Sequence, residues 1–581
     1  MYKTFQYILT SFILLFSVTF MYSQEKDTIK TDVINVVKPY TPTISDAFKI
    51  KTTPTLDDNA TTTKKTVDYD ILSVPVASTF IPTKGKAAMV EREKPELFYE
   101  NYFTLGYGSY GDLISELYVT KEFNRIGSFG ARITQEMSNG GIEDKVLDNS
   151  FTNTNVELEY IKRQRDITWS IKGGLERQKY NWYGVENRYE NATNDNISVS
   201  HNFYDLYAIG DVAFDYTYVK SGSLTLRRFY DEFESGESLL KFKGKVDLPI
   251  MDEEITTDVR LEYLKGHAGE AYVFPNAAAE YGNLLFGVSP SYQLRRDNLT
   301  LNIGASAYYM LGMNDTESNL YVFPNITGSF RIVDDVVIAY GGLTGDVIQN
   351  TYRDFTQSNQ FLSPTINVKP TDNSFNAYAG MLGKFTNDIG YNVKLGYTSE
   401  NDKALFRKNT FAASGTTMTS AVSSFKYGNS FMVVYDNIKT IQALVEVNVE
   451  MNRNLKMGLR AEYMNYNTQF EEEAWNLPNI KASVFGDYMS DDSWFAGAKI
   501  FYVGERKDLN VLTGDNVVTP DAVISLDGYV DINFNAGYNF SNRFTVFLNL
   551  NNVAGDSYER WSNYNVQGFQ VLGGATYKFD F

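Results

Sequence analysis

The 581-residue sequence contains no cysteine and has two histidines, His201 and His267. Without cysteine the chain forms no disulfide, no thiolate metal site and no cysteine nucleophile. The two histidines lie far apart in the sequence and lack the spacing of a zinc-binding helix, so imidazole ligation of a metal is not expected. The sequence therefore predicts no metal site, no cofactor and no catalytic site, and we expect a protein that is not an enzyme.

Positive charge and long apolar runs are also scarce. The chain has 53 lysines and arginines against 71 acidic residues, a formal net charge of -18, which argues against a nucleic-acid partner. Its one long apolar run, Ile8 to Phe20, follows Lys3 and is shorter than a membrane-spanning helix. Residues 1–23 are therefore predicted to be a cleavable signal peptide that directs export.

Aromatic residues are abundant, at 15% of the chain, although the mean hydropathy is only -0.30. Both values fit strands in which apolar and polar residues alternate, as Val530, Ile532 and Phe534 do with Asp531 and Asn533. Such strands recur over residues 99–581. A soluble β-sandwich would give the same alternation, but with fewer strands of one length and fewer aromatic residues. The pattern predicts an all-β, transmembrane, antiparallel outer-membrane barrel of about 22 strands, within a range of 18 to 22 strands.

The connections between these strands alternate in length. Short turns such as Asn452 to Asn454 are expected on the periplasmic side, and long polar segments such as Ile348 to Asp372 and Glu400 to Ser423 on the outside. Leu224 to Phe229 and Ala404 to Phe411 are ambiguous between strand and loop. Both termini then fall in the periplasm, so the strand number is even.

Residues 24–98 differ from the rest, with stretches rich in threonine, lysine, aspartate and proline. This composition predicts a periplasmic segment of low order. One β-prone piece stands out: Asp32, Val33, Ile34, Asn35, Val36 and Val37. It is either part of a tether or a strand that adds to the sheet edge of a partner.

The closing strands, Phe544 to Val553 and Gly573 to Phe579, resemble those of TonB-dependent receptors. Residues 99–581 look like the barrel portion of that family, and most closely like its short, plug-less flavobacterial type. That family has a 22-stranded barrel and imports ligands with energy transduced through TonB, and Asp32 to Val37 would take the place of its TonB box. The resemblance also implies that Tyr577, Phe579 and Phe581 form the signal read by the barrel assembly machinery.

The N-terminal segment departs from the family pattern. A receptor plug needs about twice the length of residues 24–98, and glycine-rich plug motifs are missing. Energised import therefore does not follow from the resemblance. A barrel of this width leaks unless something fills it, and the candidates are loops such as Ile348 to Asp372, residues 24–98 or a partner.

Two sets of residues are candidate sites. Charged residues on one face of paired strands predict a lumenal charge network: Lys241, Lys243, Lys245, Asp258, Arg260, Glu262, Glu446, Glu450, Lys456, Arg460 and Glu462. Residues where strands meet long loops are candidate ligand contacts: Trp182, Tyr183, Arg506 and Lys507. An interfacial aromatic belt or a lumenal salt bridge explains the second set equally well.

Two functional hypotheses remain open at this point. In the first, the barrel binds or transports a nutrient or other ligand across the outer membrane of a Gram-negative bacterium. In the second, it is a non-transporting subunit of an outer-membrane assembly, docked through residues 24–98 and the long loops. Expected partners are outer-membrane lipid, the barrel assembly machinery during insertion, and TonB or other envelope proteins.

Overall fold

The computed structural model describes residues 100–580, apart from 124–125, 186–196, 216, 251–252, 273–277, 315, 410–417, 452–453, 491–492, 511–512, 515–516 and 519–521. Asp32 to Val37 and Phe581 lie outside the described residues. So do the predicted signal peptide and the whole N-terminal segment, residues 24–98.

Twenty-two strands form one closed antiparallel sheet, which confirms the predicted fold and strand number. Each strand pairs with the next along the barrel, and the last pairs with β1. The barrel strands are β1 (Asn101–Gly108), β2 (Leu113–Phe123), β3 (Gly127–Ser138), β4 (Phe151–Arg163), β5 (Ile167–Asn181), β6 (Ser200–Phe214), β7 (Val219–Asp231), β8 (Gly236–Ile250), β9 (Glu253–His267), β10 (Glu280–Arg296), β11 (Leu299–Asn314), β12 (Asn319–Val333), β13 (Val337–Ile348), β14 (Thr371–Thr386), β15 (Ile389–Lys408), β16 (Phe431–Met451), β17 (Leu455–Asn467), β18 (Ile480–Ser490), β19 (Trp494–Val503), β24 (Tyr529–Asn539), β25 (Phe544–Asn551) and β28 (Gln570–Phe579).

The remaining elements lie in the connections at one end of the barrel, which we call the long-loop end. Ser109–Gly111 forms a 3-10 turn, and α1 (Tyr352–Ser358) follows β13. Short strands form hairpins in two loops: β20 (Arg506–Asn510), β21 (Thr513–Gly514), β22 (Val517–Val518) and β23 (Ala522–Leu526) before β24, and β26 (Glu559–Trp561) and β27 (Tyr564–Asn565) before β28.

The first ambiguous stretch is strand, and so is the second as far as Lys408; its residues 410–411 lie outside those described. Leu224 to Phe229 lies in β7, and β15 continues to Lys408, so the predicted loop from Glu400 begins too early. β15 remains hydrogen-bonded to β16 through this upper part, from Lys403↔Asp436 to Lys408↔Phe431. The simple apolar alternation is lost there because this part of the hairpin packs against loops.

The alternation of side chains gives the sheet two different faces. Large apolar residues such as Leu206, Phe286 and Phe534 are exposed on the outer face, as contact with lipid requires. Their neighbours in sequence point to the lumen. Asn533 and Asn535, for example, flank Phe534 on the lumenal face.

Several lumenal rings lie across glycines of the adjacent strand. A Cβ on Gly537 would lie 2.2 Å from the Phe495 ring, and one on Gly574 would lie 2.4 Å from the Phe547 ring. Similar pairs recur around the barrel: Tyr207 with Gly174, Tyr308 with Gly287, Tyr378 with Gly342 and Phe485 with Gly458. The missing side chains let these rings rest on the wall of the barrel.

Candidate functional site

The loops at the long-loop end pack together over a hydrophobic core, and we call this assembly the cap. Its buried residues come from strand ends and from loops far apart in sequence. They are Ile142, Leu147, Trp182, Tyr183, Val185, Val199, Phe203, Phe229, Leu264, Tyr281, Tyr352, Phe355, Phe361, Leu362, Ile366, Val368, Met418, Phe425, Tyr427, Phe431, Trp561 and Tyr564. The segment Ile348 to Asp372, predicted to be a polar outer loop, contributes several of them. That prediction is wrong in polarity, since its apolar residues are buried in the cap.

Thr351 is the N-cap residue of helix α1. The Thr351 hydroxyl accepts a hydrogen bond from the Asp354 amide at 3.0 Å, and Tyr352 and Phe355 are buried. At seven residues the helix is too short to be stable alone, so its position depends on contacts with the barrel wall.

The first wall contact is a carboxylate of β8. Glu237 is almost fully buried and accepts from the amides of Tyr352 at 2.7 Å and Arg353 at 3.0 Å. The Tyr281 hydroxyl donates to the same carboxylate at 3.2 Å. The carboxyl group thus accepts hydrogen bonds from two amides of the first helical turn, which have no acceptor within the helix.

The second wall contact is Asp231 at the end of β7. The Tyr352 hydroxyl donates to it at 2.8 Å, and His201 Nε2 lies 3.0 Å from the same oxygen. Burial, and next the negative charge of Asp231, raise the pKa of the Tyr352 phenol well above its ordinary value. The His201 ring lies 4.3 Å from the buried Trp182 ring, centroid to centroid. This cluster joins α1 to the aromatic core of the cap.

The third wall contact is an ion-pair cluster under the helix. Arg353 Nε lies 2.5 Å from Asp205 on β6, and Arg227 on β7 lies 3.2 Å from the other oxygen of that carboxylate. Glu176 on β5 lies 3.8 Å from Arg353. Burial opposes the charge of Arg353, but Asp205 outweighs it and raises the pKa of the guanidinium. Four neighbouring strands therefore hold α1.

The last loop closes over this assembly. The Tyr564 ring stacks on Phe361 at 3.6 Å, and its hydroxyl donates to the carbonyl of Asn429. Trp182 Nε1 donates to the Phe361 carbonyl at 3.2 Å. A Cβ on Gly184 would lie 2.5 Å from the Tyr564 ring, so the approach of the two loops depends on that glycine.

The four candidate ligand contacts lie in different surroundings. Trp182 and Tyr183 are buried in the cap core and thus shielded from a ligand while the cap is packed. Arg506 is buried, donates to the carbonyls of Glu559 and Arg560, and lies 5.4 Å from the Tyr529 ring. This burial lowers its pKa. Lys507 pairs with Glu505 at 2.5 Å. Ligand contact by these residues stays a prediction.

The predicted charged residues lie on the lumenal face in two separate clusters. In the first, Glu262 is fully buried between Lys241 at 2.7 Å and Arg260 at 2.8 Å. Arg260 also contacts Asp346 at 3.0 Å, a member that the sequence did not suggest. Lys245 lies 3.9 Å from Asp258, and Lys243 faces Arg260 across the strand pair.

In the second cluster, Arg460 lies 2.6 Å from Glu446 and also contacts Glu462. Lys456 lies 3.3 Å from Glu450 near the short-turn end. The functional role of both clusters remains a prediction.

Of the terminal aromatic residues, Tyr577 is exposed on the outer face and its ring is stacked with that of Phe579, with centroids 6.2 Å apart.

Sequence reasoning missed the polar anchors of the cap. His201, Asp205, Asp231 and Glu237 lie near strand ends, where the alternation is interrupted, and Arg353 lies in helix α1. The one signal that the four strand residues share is a polar side chain at a lumenal position near a long loop.

Among the described residues no group of three or more potential metal ligands occurs. In the same part of the chain, no helix has the length and apolarity needed to cross a membrane.

Comparison with solved structures shows the same fold. The ferripyoverdine receptor of the outer membrane of Pseudomonas aeruginosa matches 84% of this chain over 73% of its own, with TM-score 0.59 and 12% identity. The match to the ferric-catecholate import receptor Fiu from Escherichia coli K12 covers 83% of this chain and 82% of Fiu, with TM-score 0.59 and 11% identity. The match to the FrpB iron transporter from Neisseria meningitidis covers 84% of this chain and 82% of FrpB, with TM-score 0.59 and 9% identity.

No protein-family profile and no curated protein matches the sequence. The likeness is thus one of fold. The chain shares a barrel fold with these proteins, and its own barrel has 22 strands, the number that the resemblance of its closing strands implied.

Proposed function

We propose that this protein is an outer-membrane barrel of the receptor and transporter type, and that a ligand enters its long-loop end only when the cap opens. The barrel fold supports the class, since structures with this fold include import receptors and iron transporters. Export through a signal peptide at residues 1–23, cleaved before insertion, and recognition of Tyr577, Phe579 and Phe581 by the barrel assembly machinery belong to the same proposal.

The observation that carries the proposal is the way in which α1 is held. The helix is fixed to the wall by hydrogen bonds and ion pairs to the side chains of Asp205, Asp231 and Glu237. It is not itself part of any strand of the barrel sheet. Such contacts can be exchanged for water or for a ligand without breaking the barrel ladder. The cap can therefore act as a lid on a rigid frame.

The test is the conductance of the purified full-length protein in planar bilayers. Replacing residues 352–366 by a short glycine-serine linker should convert a low-conductance barrel into one with large, frequent openings. Arg353→Gln should give intermediate opening because the buried Asp205 then lacks one of its two cationic partners, which are themselves partly exposed. Lys369→Gln removes one charge from an exposed site in the same loop and should match the wild type. Unchanged conductance in the loop replacement would overturn the lid.

The packed core of the cap favours a second candidate function. An aromatic cluster as fully buried as Trp182, Phe361 and Tyr564 resists opening, which suits a non-transporting subunit of an envelope assembly. In that case partners dock through residues 24–98 and the outer loops. Deleting residues 24–98 should then abolish co-purification of envelope proteins from detergent-solubilised membranes. If the segment Asp32 to Val37 binds TonB, deleting that segment alone should abolish TonB binding and leave other partners in place.

A further inference from the structure

Basic side chains gather on the outward face of the barrel at its long-loop end. Arg228 follows the exposed apolar residue Leu226 by two positions, which places it on the lipid side of β7. By the same alternation Arg177 on β5 and Lys265 on β9 point outward. All three are exposed. We call Arg177, Arg228 and Lys265, with the rings of Tyr204 and Tyr230, the outer basic patch.

The strand register brings the patch together. Arg228 pairs with Ser238, and Ser238 pairs with Lys265, so the Cα atoms of the two cations lie about 10 Å apart, two strand spacings. Arg228 Nη1 donates to the Ser238 hydroxyl at 3.0 Å. The hydroxyl thus lies between two positive charges, in an arrangement that suits several oxygens of one anion.

Two stacked rings complete the patch on its other side. Arg177 pairs with Tyr204 across β5 and β6, and the Tyr204 ring stacks on Tyr230 at 5.1 Å and 18°. A cavity of about 300 Å³ opens beside Arg228 and Tyr230 and is also lined by Asp231, Glu234 and Ser235. Aromatic rings of this kind are typical of the membrane–water interface.

Within the described part of the chain, Arg177, Arg228 and Lys265 form no ion pair, although the protein is strongly acidic overall. The nearby acidic side chains either contact other residues or lie toward the loops. Glu232 accepts from the Asn202 amide groups, and Asp148 lies 3.9 Å from Lys179. Glu234 and Glu280 are exposed on the loop side of the patch. None of the three cations is therefore in direct contact with a carboxylate in the described part of the chain.

We propose that the outer basic patch binds the phosphate groups of an anionic glycolipid in the leaflet that surrounds the long-loop end. The acyl chains would lie on the exposed Leu175, Leu206 and Leu226 directly below. Arginine forks bind phosphate in two-pronged fashion, and lysine adds a point charge. The site depends on the barrel lying in a membrane and is independent of whether the protein transports a ligand.

The experiment uses full-length protein in detergent, with retained lipid counted by native mass spectrometry after incubation with lipid A. Dephosphorylated lipid A and phosphatidylethanolamine serve as probes that lack the paired phosphates. Arg228→Gln and Lys265→Gln should each lower lipid A retention about tenfold or more, as expected for loss of one charged hydrogen-bonding partner. Lys439→Gln removes an exposed outward cation from the far side of the same end and should match the wild type.

Heat-dependent gel mobility shows whether each variant has kept its barrel. Retention of lipid A that is unchanged in the folded Arg228→Gln/Lys265→Gln double variant would overturn the proposal. Equal retention of dephosphorylated lipid A would overturn it too, because the phosphates would then play no part. Displacement of bound lipid A by millimolar inorganic phosphate would show a site for free anions and would also refute a lipid site.

Discussion

Glu237 offers the sharpest test of how the cap is held. Replacing it by alanine leaves three donors without their acceptor: the amides of Tyr352 and Arg353 and the hydroxyl of Tyr281. Each stranded buried donor costs about 1 to 3 kcal/mol. Because the substitution also removes a buried charge, we take the lower end of the range, about 3 kcal/mol in all. The population with α1 released should then rise about a hundredfold, at roughly 1.4 kcal/mol for each factor of ten.

Hydrogen exchange followed by mass spectrometry measures that population directly. In the wild type the Phe355 and Asn359 amides are hydrogen-bonded within the helical turn and should exchange slowly. In Glu237→Ala the peptides spanning residues 349–370 should exchange about a hundredfold faster, following the free-energy estimate above. The barrel strands should exchange at the wild-type rate, because their ladder hydrogen bonds are untouched.

Two further variants isolate the cause. Glu237→Gln keeps the shape and one acceptor oxygen but presents an amide N–H₂ to one of the backbone donors, so the acceleration should fall to about fivefold, the loss of one acceptor at about 1 kcal/mol. Glu450→Ala removes an exposed carboxylate that pairs with Lys456 near the short-turn end, and should leave the cap unchanged. The reasoning is refuted if Glu237→Ala exchanges like the wild type, or if Glu450→Ala accelerates the loop equally.

Two predictions concern the barrel wall. Gly574→Ala should lower the urea midpoint of unfolding by an amount equivalent to about 1 to 3 kcal/mol, because its Cβ meets Phe547, whereas Gly573→Ala has nothing within 4 Å and serves as the control. Arg260→Met should cost about 2 kcal/mol since it leaves a buried carboxylate with one cation, while Arg460→Met, at a more exposed pair, should cost less than about 1 kcal/mol in the same assay. Equal effects within either pair would contradict these assignments.

The barrel could be predicted from sequence because each strand carries its own evidence. Alternation at Val530, Ile532 and Phe534 fixes both the strand and its outward face, and no distant residue is needed to read it. The upper part of β15 escaped prediction for the opposite reason. From Glu400 to Lys408 it is stabilised by its ladder with β16 and by loop contacts, and its own pattern is weak.

The cap could not be predicted because its contacts join distant residues without a period. Tyr352 and Asp231 are 121 positions apart, and the Trp182 side chain binds a carbonyl 179 positions away. Phe361, Leu362 and Ile366 looked like occasional apolar residues in a polar loop. Only their convergence in space shows that they form a core.

The junction between β1 and β28 has a consequence for biogenesis. Eight residue pairs, from Asn101↔Phe579 to Gly108↔Leu572, join the two ends of the described barrel. The Asn101 side chain donates to the Phe579 carbonyl across 478 positions of sequence. The cylinder therefore stays open until β28 has been synthesised and has paired with β1. A truncated product would present two bare edges, from β1 and β25, to any neighbouring polypeptide.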